Sequence, residues 1–143
     1  MRIYLPDEDA TIALAQKLAA RARAGDALLL SGPLGAGKST FARAFIRALA
    51  QDEALRVPSP TFTLVQSYET LAGLVSHYDL WRLSGPDELE ELGWDESLAG
   101  IVLVEWPERL EGEAPEGAVR LGFALDGLGR VVEIDGEERW LTV

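Results

Sequence analysis

Residues 32–39 read Gly32-Pro33-Leu34-Gly35-Ala36-Gly37-Lys38-Ser39 and match the pattern G-x-x-x-x-G-K-[ST] at every fixed position. The wholly apolar run Ala27-Leu28-Leu29-Leu30 precedes this stretch, as expected of a buried parallel strand. Apolar residues then recur at helical spacing from Lys38 to Ala50. A strand, a glycine-rich loop and a helix in this order predict a phosphate-binding P-loop.

The predicted loop supplies its chemistry largely through the backbone. Glycines let backbone N–H groups converge on phosphate oxygens, and the helix that follows adds the partial positive charge of its N-terminus. Lys38 supplies a charge for the β- and γ-phosphates, and the Ser39 hydroxyl is the usual Mg²⁺ ligand of this motif. The nucleotide-binding residues predicted in this stretch are Gly35, Ala36, Gly37, Lys38, Ser39 and Thr40.

The amino-acid composition bears on which nucleotide the loop would hold. P-loop GTPases of the usual kind read guanine with an Asn-Lys-x-Asp motif. The chain contains no asparagine, so that motif does not occur in it. We therefore predict ATP or ADP, together with Mg²⁺, as the cofactors.

The rest of the chain predicts an α/β fold, with a P-loop NTPase-like, mainly parallel sheet flanked by helices and extended by antiparallel edge strands. A helix is expected over residues 9–24, and a short one begins after Gly85-Pro86. Residues 110–117 are expected to form an acidic loop. Strands are expected over residues 27–30, 61–68, 74–80, 101–104, 119–125, 130–134 and 140–143.

Two acidic residues stand at the ends of predicted strands. Glu105 follows residues 101–104, and Asp79 closes residues 74–78. Carboxylates in such positions commonly assist Mg²⁺, so both residues are predicted to be catalytic together with Lys38. The alternatives are a salt-bridged strand end for Glu105 and, for Asp79, a helix or turn cap for residues 80–82. Whether Asp79 would touch the metal directly or through water stays open.

The segment Ser59-Pro60-Thr61-Phe62-Thr63 lies between the loop helix and the next strand. In many P-loop proteins a hydroxyl in this position senses the γ-phosphate, which makes Thr61 a further candidate catalytic residue. Sequence physics alone favours the alternative, a proline turn that leads into a strand. His77, the only histidine, is interpreted as a hydrogen-bonded structural residue. Trp106 is either core packing or a lid over the nucleotide.

Length and composition narrow the class of protein. A chain of 143 residues is the size of one compact domain, so we predict a single P-loop ATPase domain over residues 1–143. No apolar run approaches the roughly 20 residues that a membrane span needs, and the N-terminus lacks the apolar core of a signal peptide. There is no cysteine for a disulfide or a thiolate metal site. These features favour a cytoplasmic protein without a membrane partner.

The net charge of −11 is unevenly distributed. Residues 1–65 carry 8 basic and 6 acidic side chains, whereas residues 66–143 carry 5 basic and 18 acidic ones. A protein that binds RNA alone is expected to present a basic face. The charge pattern therefore indicates that any nucleic acid is held by another subunit. The acidic half is either a docking face or a surface that maintains solubility.

Short motifs follow one another along nearly the whole chain. They are Leu5-Pro6-Asp7-Glu8-Asp9-Ala10-Thr11, the stretch Gly32 to Phe41, Ser59-Pro60-Thr61-Phe62-Thr63-Leu64-Val65, His77-Tyr78-Asp79-Leu80-Trp81-Arg82-Leu83, Glu88-Leu89 with Leu92-Gly93, and Val104-Glu105-Trp106-Pro107. In this order they resemble the TsaE family, small ATPases of bacterial tRNA threonylcarbamoyladenosine synthesis. Trp81 departs from the family's usual tyrosine and lacks its hydroxyl. Ser39 replaces the commoner threonine and keeps the metal-binding oxygen.

The resemblance implies roles that spacing alone does not give. Ser39 and Glu105 would hold Mg²⁺, and Asp79 would sit beside the nucleotide. The other residues with implied roles are Thr61 and Thr63 in a switch segment, Trp106 close to the nucleotide, and Pro6 with the Gly129-Arg130 turn at its base and sugar.

The resemblance also implies partners, namely the proteins TsaD and TsaB. TsaD handles the threonylcarbamoyl transfer to adenosine in tRNA, and this chain would hydrolyse ATP weakly to drive the complex through repeated turnover. It would meet tRNA only through that complex. Two alternatives are a small-molecule kinase that uses Arg43 and Arg47, and a module that binds ATP without turnover.

Overall fold

One seven-stranded sheet organises the chain in the computed structural model, which describes residues 1–142. The strands are β1 (Arg2–Leu5), β2 (Ala27–Ser31), β3 (Val65–Thr70), β4 (Gly73–Asp79), β5 (Ile101–Glu105), β6 (Val119–Asp126) and β7 (Gly129–Asp135). The helices are α1 (Glu8–Ala19), α2 (Lys38–Ala50), α3 (Glu88–Glu91), α4 (Trp94–Ser97) and α5 (Glu138–Leu141), and a 3₁₀ segment spans Pro107–Glu113. None of these helices is long and apolar enough to cross a membrane.

The strand order is β1-β7-β6-β2-β5-β4-β3. The four central strands β6, β2, β5 and β4 run parallel, while β7, β1 and β3 add antiparallel pairs at the two edges. The predicted fold class, a mainly parallel sheet with antiparallel edge strands, is therefore confirmed. In this register Glu105 at the end of β5 lies opposite both Leu30 of β2 and Asp79 of β4.

Both faces of the sheet are covered, since residues 27–30 of β2 and 101–104 of β5 are apolar and buried whichever face they point to. Leu28 and Leu30 of β2 pack on one face with α1 and α2, in a cluster that includes Phe41 and Phe45. Leu29 packs on the other face with the segments around α3, α4 and the 3₁₀ turns. Burial of each such leucine stabilises the fold by roughly 1.5–3 kcal/mol. The P-loop helix α2 is thereby packed against the sheet.

The two long helices begin in different ways. Asp7 caps α1, since its carboxylate accepts the Ala10 N–H at 2.9 Å, a contact worth about 1 kcal/mol. Gly37 precedes α2 in a left-handed conformation, with φ of 109°, and supplies no side-chain cap. The first N–H groups of α2 are therefore left for another acceptor.

Two predicted elements differ in their bounds. The helix predicted over 9–24 ends at Ala19, because the Arg21 and Ala22 N–H groups bond three residues back and the Arg23 N–H goes to the Asp26 carboxylate. The strand predicted over 61–68 begins only at Val65. Leu64 takes a left-handed φ of 69° and its N–H bonds Pro60 O at 2.7 Å, which closes a turn instead.

Two further predictions are wrong in kind. Residues 110–117 were expected to form a loop, but 3₁₀ turns run to Glu113, since Pro107 suits a first turn and Leu110 is anchored in the core. The strand expected over 140–143 is the helical turn α5, which buries Trp140. Residue 143 of that prediction lies outside the described residues. β1 and α4 were not predicted.

Candidate functional site

A cavity of about 380 Å³ opens at the carboxyl ends of β2, β4 and β5, where ligands bind in open α/β sheets. It brings together segments that are far apart in the sequence. The predicted site residues that line it are Pro6, Gly35, Gly37, Lys38, Ser39, Thr40, Thr61, Asp79, Glu105, Trp106 and Gly129. Ala36 is buried beneath the loop, and its N–H bonds Pro33 O at 3.2 Å.

The glycine-rich loop has the backbone freedom that its function requires. Gly35 has φ of 80° and open space where a Cβ would stand. At Gly32, with φ of 131°, a Cβ would lie 2.2 Å from Phe123 O of β6. Both positions therefore need glycine, the first for its conformation and the second also for close contact with the sheet.

Lys38 stands at the start of α2 with only 4% of its surface exposed. Its Nζ lies 3.7 Å from the centroid of the Trp106 ring and has no hydrogen-bond partner within residues 1–142. Burial lowers the pKa of this ammonium, although the nearby carboxylates of Glu105, Glu108 and Asp79 oppose the shift. A buried cation without an acceptor marks the place where an anionic ligand would be stabilised.

Glu105 joins the loop helix to the sheet. Its Oε1 lies 3.4 Å from Ser39 Oγ, a long contact, and its Oε2 lies 2.7 Å from His77 Nε2. The side chains of Glu105 and His77 are almost fully buried. The strand end predicted for Glu105 is thus observed next to Ser39, and it also has a histidine partner that the sequence did not indicate.

Asp79 connects the 59–63 segment to the cavity. Thr61 Oγ1 donates to Asp79 Oδ2 at 3.1 Å, while the Trp81 N–H donates to Oδ1 at 3.1 Å. Ser59 Oγ lies 2.7 Å from Thr61 Oγ1. Asp79 therefore caps the turn at Trp81, which is the alternative role considered for it above. Its other carboxylate oxygen holds the Thr61 hydroxyl at the wall of the cavity.

The Trp106 ring lines the cavity and covers the Lys38 ammonium. Trp106 has a left-handed backbone, with φ of 60°, directly before Pro107. Its ring packs on Trp81, with centroids 4.6 Å apart, and Trp81 is half exposed. Trp106 thus packs against the core cluster on one side and lines the cavity on the other, and its role as a lid over the nucleotide stays a prediction.

The opposite end of the cavity is formed by β1, its following turn and the β6–β7 hairpin. Arg130 Nε donates to Gly35 O of the loop at 2.9 Å. A Cβ at Gly129 would lie 2.8 Å from Leu5 O, so the hairpin approaches β1 closely. Pro6 and Gly129 therefore face the loop across the cavity.

Sequence reasoning missed several residues that line the cavity. Thr11 is 2% exposed and is the polar exception on the buried face of α1, a signal that the sequence does contain. The other missed lining residues are Leu5, Asp7, Glu8, Leu34 and Leu128.

The site residues fit a nucleotide with Mg²⁺. The unpartnered Lys38 ammonium and the free N–H groups at the start of α2 suit phosphate oxygens. Ser39 and Glu105 offer two oxygen ligands, and Mg²⁺ needs few from protein because substrate phosphates and water complete its shell. Within residues 1–142 no group of three His, Cys, Asp or Glu side chains could hold a metal without such help.

Comparisons with known proteins show which family this chain resembles. A sequence model of the family described as threonylcarbamoyl adenosine biosynthesis protein TsaE matches residues 5–130. A Rickettsia conorii protein named tRNA threonylcarbamoyladenosine biosynthesis protein TsaE is 43% identical over 132 residues, which are 91% of this chain and 75% of that protein. A Bacillus subtilis protein of the same name is 39% identical, over 84% of this chain and 73% of its own.

Two more similarities concern length and fold. The protein of this name from Rickettsia felis is 43% identical over 107 residues, and the chain spans only 62% of that protein's length. The crystal structure of Bacillus subtilis YdiB superimposes with a TM-score of 0.75 at 27% identity, covering 99% of this chain and 88% of YdiB.

Proposed function

The chain belongs to the TsaE family of tRNA threonylcarbamoyladenosine biosynthesis, and from this premise we propose that it acts there as an ATP-hydrolysing accessory subunit. The nucleotide would be ATP, bound with Mg²⁺ and released as ADP. The residues proposed to bind the nucleotide and the metal, and to act in catalysis, are those predicted from the sequence. Ala36 is buried beneath the loop and would act only by supporting its backbone. A cytoplasmic location belongs to this proposal.

One observation supports the proposal above all others. The buried ammonium of Lys38 stands at a helix start near three carboxylates, yet it has no hydrogen-bond acceptor within the described residues. An unsatisfied buried donor costs about 1–3 kcal/mol, so this position of the ammonium is not explained by the stability of the fold. A bound triphosphate would supply the missing acceptors.

Different residues of the site would have different roles in hydrolysis. Lys38 would neutralise the phosphate oxygens, and Ser39 Oγ and Glu105 Oε1 would hold the metal. Bound Mg²⁺ would neutralise charge that develops on the β- and γ-phosphate oxygens. The Thr61 hydroxyl, held by Asp79, would respond to the γ-phosphate and carry its loss into the 59–63 segment.

Slow turnover is expected from the isolated chain. Arg130 is the only arginine that lines the cavity within the described residues, and it bonds the backbone oxygens of Gly35 and Gly129. An arginine aimed at the transferred phosphate accelerates such reactions by about 10³–10⁵. We propose that the hydrolysis cycle works on a TsaD–TsaB complex, with tRNA bound by that complex and not by this chain.

Release of phosphate from ATP tests the enzymatic part. We expect slow release that needs Mg²⁺ and falls at least tenfold in Glu105→Gln, whose amide is a poor metal ligand. Nucleotide affinity measured in EDTA should be retained by this variant. Release at the wild-type rate by Glu105→Gln would contradict the assignment of Glu105. Binding of ATP with no release by the wild-type chain, alone or with TsaD and TsaB, would favour a regulatory module.

A further inference from the structure

Among the described residues, His77 is a buried ionisable side chain that contacts the site and that the mechanism above does not use. It lies on β4, 2% exposed, on the same face as Asp79 two residues later. That face packs against α2, the helix that carries Lys38 and Ser39. The imidazole therefore stands directly behind the residues proposed to hold the metal.

The contact between His77 and Glu105 fixes the carboxylate. A carboxylate accepts hydrogen bonds and does not donate them, so His77 Nε2 must carry the hydrogen in the 2.7 Å contact with Oε2. His77 Nδ1 is buried and has no partner within residues 1–142. A hydrogen on Nδ1 would be an unsatisfied buried donor, which the Nε2–H tautomer avoids.

The two carboxylate oxygens of Glu105 therefore have different partners. Oε2 is occupied by His77, whereas Oε1 faces Ser39 Oγ at 3.4 Å. Rotation of the carboxylate away from Ser39 would break the short contact with His77 and leave the imidazole N–H unpaired. The histidine therefore selects the rotamer in which Glu105 and Ser39 converge.

We propose that His77 is a positioning residue that presents Oε1 of Glu105 to the metal bound at Ser39. The inference rests on the proposed function, because it assumes that Glu105 and Ser39 share Mg²⁺. Hydrogen bonds of this kind behind a metal ligand typically contribute about 10- to 100-fold to metal affinity or activity. His77 takes no part in proton transfer in this account.

Variants at residue 77 separate positioning from packing. His77→Leu removes the N–H, whereas His77→Gln keeps a donor near the position of Nε2. Ser76→Ala is the matched control, since Ser76 is buried in the same strand and bonds Ser67 Oγ away from the cavity. Calorimetry would measure ADP affinity with Mg²⁺ and again with EDTA.

We expect His77→Leu to lose about 10-fold or more in ADP affinity with Mg²⁺ and to match wild type in EDTA. His77→Gln should stay within about threefold of wild type in both conditions, as should Ser76→Ala. Wild-type affinity in His77→Leu, or an equal loss with and without Mg²⁺, would overturn the positioning role. Failure of the wild-type chain to bind nucleotide would instead overturn the proposed function.

A second measurement needs no substitution. His77 is the only histidine, so isotope-labelled histidine yields a single imidazole in nuclear magnetic resonance spectra. We expect the Nε2–H tautomer in the free protein, and a shift of Nε2 when Mg²⁺ is added to the ADP-bound protein. The opposite tautomer, or an Nε2 signal insensitive to Mg²⁺, would overturn the proposal even if His77→Leu failed to fold.

Discussion

The position of Lys38 that suits phosphate binding is unfavourable for the stability of the nucleotide-free protein. The Lys38 ammonium is buried over the Trp106 ring without a hydrogen-bond acceptor in the described part of the chain, and burial lowers its pKa. The nucleotide-free protein is therefore destabilised at this side chain. Such costs are typical of functional sites, where removal of the functional group often stabilises the fold.

We predict that Lys38→Met raises the melting temperature of the nucleotide-free protein by about 3 °C, the effect of roughly 1 kcal/mol in a chain of this size. The gain should be present at neutral pH and shrink as the pH approaches the ordinary lysine value of 10.5, because the unfolded lysine then also loses its proton. The stabilisation by ATP with Mg²⁺ should disappear. Differential scanning calorimetry measures both effects.

Lys17→Met is the control for this variant, since Lys17 is the only other lysine and is exposed on α1. It should leave the melting temperature and the ATP-dependent increase unchanged. A folded Lys38→Met protein that binds ATP with wild-type affinity would refute the role of Lys38.

Among the elements, the junction between β2 and α2 depends most on one residue. Gly32 has φ of 131°, and a Cβ there would meet Phe123 O at 2.2 Å. We predict that Gly32→Ala destabilises the protein by about 3 kcal/mol, since strain and a backbone clash combine. Gly85→Ala, in open space with ordinary φ, should stay within about 0.5 kcal/mol of wild type. Denaturant unfolding measures the stability of both variants, and equal stability would contradict the requirement for glycine at position 32.

Elements with local causes were predictable from the sequence. The bounds of α2 follow from the glycine loop and from helical periodicity, and both are visible in a short window. α5 was not predictable in this way. Arg139 in this turn pairs with Asp26, more than a hundred residues earlier, and this contact overrides the β propensity of the last residues. β1 likewise depends on its distant partner β7.

Much of the lining of the cavity was predictable from the sequence, but the contacts within it were not. Carboxyl ends of parallel strands meet at one edge of a sheet, so Asp79 and Glu105 were expected near the P-loop. The contacts of Glu105 with His77 and of Arg130 with Gly35 depend on side-chain rotamers and on strand order. Neither leaves a periodic signal in the sequence.

The net charge of the protein is expected to influence which partners it binds. The net charge is −11, and the excess of acid lies in residues 66–143. We predict that the isolated chain binds tRNA no better than a neutral control protein, because phosphate contacts need a basic face. Fluorescence anisotropy of labelled tRNA measures this, and tight salt-sensitive binding by the isolated chain would show that the acidic surface does not exclude nucleic acid.

The same charge should speed docking on a basic protein surface. If the acidic half faces TsaD or TsaB, association should slow about tenfold or more as salt rises from low to physiological strength. Surface plasmon resonance at several salt concentrations measures the rate. A rate that does not depend on salt would assign the acidic surface to solubility alone.

Reconstitution of tRNA modification would show whether nucleotide turnover by this chain drives a TsaD–TsaB complex through repeated cycles. Purified TsaD and TsaB, a threonylcarbamoyl donor, tRNA and ATP with Mg²⁺ would be combined with the wild-type chain, with Lys38→Ala, or with neither, and modified nucleosides counted per complex. We expect many modified nucleosides per complex with the wild-type chain and about one or fewer in the other two reactions. Repeated turnover in all three reactions would contradict the proposed role of this chain.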